Sequence, residues 1–149
     1  MSERALRIVI GVLSVVGIGV AGYLTYVHYA DIEPICTAGG EGGCAKVQAS
    51  DQSELLGLPV ALLGLGAYIT LLICAVLTTE WARMLGALTA LIGVGFSAYL
   101  TYESVFQIEA TCQWCLTSST IMVFMAGLCT WRLLRAPVDG ARSDELPVG

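Results

Sequence analysis

The sequence predicts an all-α integral membrane protein: a four-transmembrane-helix bundle with a short extracytoplasmic lid helix and loop. Three observations carry that prediction. The chain of 149 residues is 56% hydrophobic and 13% charged, with a mean hydropathy of +0.78, more apolar surface than a water-soluble domain of this size can hide. The apolar residues gather in four runs, each close to the ~20 residues a helix needs to cross the hydrocarbon core. The basic residues then fall almost entirely on one side of those runs.

In chain order the expected helices cover about 8–29, 59–79, 84–102 and 114–134. No Lys, Arg, Asp or Glu interrupts them, except Arg132 near the exit of the last. "MSERALR" ahead of the first run has the outline of a secretory signal, but the run is long and lacks a clear small-x-small cleavage site. Pro59 suits the first turn of the second helix, where its missing N–H costs nothing. Residues 1–135 are thus one membrane domain, and 136–149, "APVDGARSDELPVG", are expected to be a disordered tail.

Topology follows from charge. Arg4, Arg7, Arg83, Arg132, Arg135 and Arg142 share one side, whereas residues 30–58 and 103–113 hold only Lys46 among seven acidic residues. The positive-inside bias puts both termini in the cytoplasm and these two segments outside. The net charge of −5 belongs to the loops. Membrane lipid is an expected partner, and nucleic acid is not.

An internal echo leads to the cysteines. "GYLTYVHYADIEPIC" and "AYLTYESVFQIEATC" leave the first and third helices alike, and each reaches a cysteine ten residues after its YLTY, at Cys36 and Cys112. The YLTY itself reads as an ordinary interfacial belt. Cys36, Cys44, Cys112 and Cys115 lie in the outside segments or at a helix mouth, whereas Cys74 and Cys129 lie mid-helix as small apolar packing residues. Outside the cytoplasm disulfides form and persist. Cys36 and Cys44 enclose "TAGGEGG", a loop with four glycines and little conformational preference. Cys112 and Cys115 share one face where the last helix begins, and the free amides of that end favour a thiolate. Thiolate attack can pass two electrons from the loop pair to the helix pair, and a membrane-soluble two-electron carrier such as a quinone can collect them at Cys115. Two other readings use the same residues: inert structural disulfides, and a four-thiolate zinc or copper site, for which the C-x7-C spacing is wide.

With those residues in view, the chain resembles the vitamin K epoxide reductase family in its stand-alone bacterial form, from the first helix to the end of the fourth. The motifs are the pair Cys36 and Cys44, "CAKVQAS" with Ser50 six residues beyond Cys44, "GLPVALLG" opening the second helix, and "CQWCLTSS" opening the fourth. The order, loop pair first and CxxC second, separates the chain from the analogous DsbB-type oxidases.

The resemblance implies a bundle enclosing a quinone, menaquinone or ubiquinone, in the bacterial cytoplasmic (inner) membrane. The implied donor is a thioredoxin-like (DsbA-type) extracytoplasmic oxidoreductase, here a separate chain, so that the activity supports disulfide formation in exported proteins. Carried over by position, Cys36 meets the partner, Cys44 attacks Cys112, and Cys115 is released as the thiolate facing the quinone. Ser50 matches a family hydroxyl near the quinone and Cys115; its spacing alone fits a helix cap equally well. Val47, Leu55 and Leu56 suit a short amphipathic lid helix around it. There are two departures. Val60 stands near the position of an Asn, and Ser119 at that of a Tyr, which bind quinone oxygens in the animal enzymes. Quinone binding therefore leans on apolar packing, with Tyr68, Phe96, Phe106 and Trp114 as candidate lining residues, and these departures leave epoxide reduction an open question.

Overall fold

The computed structural model describes residues 2–32, 35, 54–55, 58–106 and 112–144. Among them are four helices, α1 (Glu3–Tyr29), α2 (Val60–Val76), α3 (Glu80–Phe106) and α4 (Gln113–Asp144). A short antiparallel pair, β1 (Glu54–Leu55) and β2 (Leu58–Pro59), precedes α2. Helices α1, α3 and the Gln113–Arg135 part of α4 are long and apolar enough to cross a membrane, and α2 is a shorter apolar helix of 17 residues. The main contacts run α1–α2, α2–α3, α3–α4 and α4–α1, which closes the helices into a four-membered ring.

The core is built for close approach. Leu6, Ile10, Tyr68, Leu71 and Met125 are fully buried, and Ala87 and Ala90 join the same cluster. A Cβ on Gly17 would lie 2.3 Å from the Tyr68 ring, and one on Gly93 would lie 2.8 Å from the Met122 sulfur. Small residues therefore admit large ones from the facing helix, the usual packing device within lipid. Large apolar side chains such as Ile8, Val12, Leu88, Ile92 and Phe124 point outward, as a lipid-facing surface requires. Hydroxyls of Ser14, Thr25, Thr101, Ser104 and Thr120 donate to carbonyls one turn back, so polar groups are satisfied within their own helices.

Helix limits differ from the sequence expectation for identifiable reasons. Helix α1 begins at Glu3 because Ser2 caps it, accepting the Ala5 N–H at 3.2 Å. It closes in a Schellman turn: Asp31 takes φ 50° and Ile32 N–H donates to the Val27 carbonyl at 3.2 Å. Helix α2 stops at Val76 rather than Thr79, leaving it about 25 Å long against a hydrocarbon core of about 30 Å. Leu77 turns extended, and Thr79 serves instead as the cap of α3, accepting the Ala82 N–H at 3.3 Å. Pro59 stands one place before α2 as its extended cap, not inside its first turn.

Two expectations need correction. Glu54 and Leu55, at the end of the segment read as a lid helix, form a strand, with Leu55 opposite Leu58. Gly57 and Pro59 both disfavour helix there, and a two-residue connection suits a hairpin; the rest of that segment lies outside the described residues. The tail beginning at Ala136 was expected to lack structure, yet α4 continues to Asp144. Extending an existing helix needs no new nucleus, and Pro137 lies within the extension.

The end of the bundle where the chain starts is tied by charge. Arg132, 3% exposed, donates from Nε to Glu3 at 2.7 Å and from its two Nη atoms to the carbonyls of Cys74 at 2.8 Å and Leu77 at 3.0 Å. Arg7 donates to the Ala75 carbonyl at 2.7 Å and to that of Val76. The final carbonyls of α2 are thus taken by guanidinium groups from α4 and α1, which satisfies the acceptors a helix end leaves open. Arg83 lies 3.7 Å from Glu3.

Candidate functional site

At the opposite end, α4 starts at a cysteine. Cys112 is its cap residue: its carbonyl accepts the Leu116 N–H at 3.0 Å and its sulfur accepts the Cys115 N–H at 3.4 Å. A thiolate suits this place because the first amides of a helix have no internal acceptor and the helix dipole is positive there. The Cys112 thiol is lowered from its usual value to about 7, chiefly by the hydrogen bond from the Cys115 thiol, against burial, with help from the Cys115 and Trp114 amides. Cys112 is buried and Cys115 half-buried. At neutral pH the pair is poised for thiol–disulfide exchange, the charge resting on Cys112 and the proton on Cys115.

The second element is a two-point tie at Ile35. Its N–H donates to the Tyr23 hydroxyl at 3.1 Å, and its carbonyl accepts from Trp114 Nε1 at 2.9 Å. The two rings face each other with centroids 5.1 Å apart. A third element lies one turn into α4. The Tyr68 hydroxyl donates to the Ser118 carbonyl at 2.9 Å and lies 2.9 Å from Ser118 Oγ, so the serine hydroxyl returns a hydrogen bond to it. Tyr68 is completely buried, wedged against Gly17 of α1, and joins α1, α2 and the first turns of α4.

The structure brings together some of the residues singled out from the sequence. Trp114 and Tyr68 reach the CxxC region, but both direct their polar atoms to protein partners. Val60 opens α2 half-buried, and Ser119, also half-buried, lies next to the bonded Ser118. Phe96 is half-buried on α3. Phe106 is 68% exposed and packs on Tyr102 of its own helix, centroids 4.8 Å apart. Cys36, Cys44 and Ser50 lie outside the described residues. Tyr23 and Ser118 were not anticipated: Tyr23 belongs to the repeated YLTY read as an interfacial belt, and Ser118 is one place from the serine chosen by position.

A family model described as "Vitamin K epoxide reductase family" matches residues 8–130, most of the chain. The chain belongs to this family. Membership makes it a membrane oxidoreductase of a family that generally works with a quinone and with thioredoxin-like partners. The matched span takes in α2, α3, most of α1, the first part of α4 and the CxxC, so the thiol pair at the mouth of α4 lies within the family match.

Cys115, Val60 at the start of α2 and Ser119 of α4 are each half-buried, a thiol, an apolar side chain and a hydroxyl of the kinds a quinone site uses. Quinone rings need apolar contact along their faces and hydrogen-bond donors at their oxygens.

Proposed function

We propose that this protein is a quinone-dependent thiol oxidase that draws electrons from a reduced thioredoxin-like extracytoplasmic protein and thereby supports disulfide formation in exported chains. In this reading it sits in a bacterial cytoplasmic membrane with both termini inside. Cys36 exchanges with the partner, which converts the Cys36–Cys44 disulfide to two thiols. Cys44 then attacks the Cys112–Cys115 disulfide at Cys112, and Cys115 leaves as a thiolate. Attack of Cys36 on Cys44 frees Cys112 and closes the loop disulfide again. Two electrons and two protons have then moved from the loop pair to the helix pair.

The single observation that most supports the reading is Cys112 as cap of α4, with its thiolate stabilised at neutral pH. A thiol of depressed pKa is a good leaving group, so release of Cys112 when Cys36 attacks Cys44 is fast at physiological pH. Once Cys112 is bonded to Cys44, Cys115 holds the charge beside the same helix amides. Val60, Ser119 and Cys115 would hold the quinone, with Ser50 as a further hydroxyl donor toward developing negative charge. A bound quinone supplies a two-electron, two-proton acceptor. Phe96 and Phe106 belong to the same proposed pocket only if the outward Phe106 ring turns inward.

The test is an anaerobic assay of the purified protein with a reduced DsbA-type donor, following quinone reduction and trapping mixed disulfides. Cys→Ala at Cys36, Cys44, Cys112 or Cys115 abolishes turnover, while Cys74→Ala and Cys129→Ala remain active. Cysteines that neither exchange with the donor nor respond to quinone would instead mark inert structural disulfides.

A further inference from the structure

The ties at Ile35 reach beyond the two redox pairs themselves. Ile35 is 72% exposed, so its side chain is not what holds it; its backbone is held at both the donor and the acceptor. One bond runs to Tyr23 on α1 and the other comes from Trp114, one of the two residues between Cys112 and Cys115. The two rings also pack on each other, so the partners of Ile35 support one another. Consecutive Cα atoms are about 3.8 Å apart, so anchoring Ile35 anchors the point from which the chain enters Cys36. Holding that point beside Trp114 raises the effective concentration of the adjoining thiols near the second pair.

We propose that Tyr23 and Trp114 are positioning residues, forming a clamp on the Ile35 backbone that delivers the loop cysteines to the CxxC pair. The proposal rests on the relay described above. It assigns a role to the first YLTY, whose Tyr23 has an exposed counterpart in Tyr99 on α3. It also gives the tryptophan inside CQWC a task other than lining a cofactor pocket.

The test uses full-length protein with Cys36→Ala and Cys115→Ala, which leaves Cys44 and Cys112 as the only members of the two pairs. Oxidation by diamide joins their sulfurs with loss of two protons and two electrons to the diazene, and the rate of bridging reports how often they meet. Adding Tyr23→Phe keeps the ring and removes one hydroxyl. The bridging rate then falls about threefold, the worth of one exposed hydrogen bond. Trp114→Phe does the same, and the two together fall little further, because either loss frees Ile35. In the protein with all its cysteines, Tyr23→Phe leaves dithiothreitol-driven quinone reduction unchanged, since a small dithiol reaches the helix pair directly. Parental bridging in both variants overturns the clamp. So does an equal fall in dithiothreitol-driven activity, which would mark Tyr23 as a general fold residue. Absence of any bridge in the parent overturns the relay and the clamp with it.

Discussion

Where the chain starts, a buried guanidinium does the holding; at the other end of the bundle, neutral hydroxyl and indole groups do. Arg132 joins Glu3 of α1 to the last carbonyls of α2, and Arg7 adds two more bonds to the same helix end. Around the CxxC pair, Tyr68 meets Ser118, and Tyr23 and Trp114 meet Ile35. The difference has a physical sense. Charged bonds are stronger and suit an end that need not move. Neutral ones fix the redox end without a permanent charge beside the sulfurs, leaving the ionisation of Cys112 to Cys115 and the helix amides.

Substitutions should separate the two ends. The largest effect on activity is at the thiol end, where Cys112→Ala removes all quinone-dependent turnover and leaves the thermal midpoint nearly unchanged. The largest effect on stability is at the basic end. Arg132→Leu strips a charge-assisted partner from Glu3 and two carbonyls, costing about 3 kcal/mol in a detergent unfolding titration. Loss of both activity and stability together at either end would erase the distinction.

Smaller effects sharpen it. Gly17→Ala drives a methyl into the Tyr68 ring and costs about 2 kcal/mol by overpacking. Tyr68→Phe keeps the ring, gives up the reciprocal bonds with Ser118 and costs about 1 kcal/mol. Equal costs for the two would show that packing on Gly17 adds nothing to those bonds. The subtlest test is pH. Because the Cys112 thiol ionises at about 7, ultraviolet thiolate absorbance of the reduced protein should rise as pH increases through 7. That thiolate is present above the depressed value and lost as pH falls below it. Replacing Cys115 by Ala, which removes the chief hydrogen bond to Cys112, should move the rise to higher pH.

How much of this was readable in the chain depends on the range of the interaction. The four apolar runs specify the bundle because burial in lipid is decided residue by residue, and CQWC ahead of an apolar run announces a thiol at a helix mouth. The shortening of α2 was not readable, because the groups that occupy its last carbonyls come from Arg7 and Arg132 on other helices. Thr79 carried a local cap signal, but the continuous apolar run concealed it. The strand at Glu54 and Leu55 was hinted at by Gly57 and Pro59. The Tyr23 tie was hidden, since it joins residues 23, 35 and 114. Ser118 and Ser119 are indistinguishable by position along the chain, and only the direction of Tyr68 separates them.

The central claim is that electrons reach the sulfurs at the mouth of α4 by way of the loop pair. Turnover of the Cys36→Ala/Cys44→Ala double variant, driven by a reduced thioredoxin-like protein under anaerobic conditions with quinone as acceptor, measures that most directly. The account predicts no quinone reduction above background. Turnover at the parental rate would contradict it.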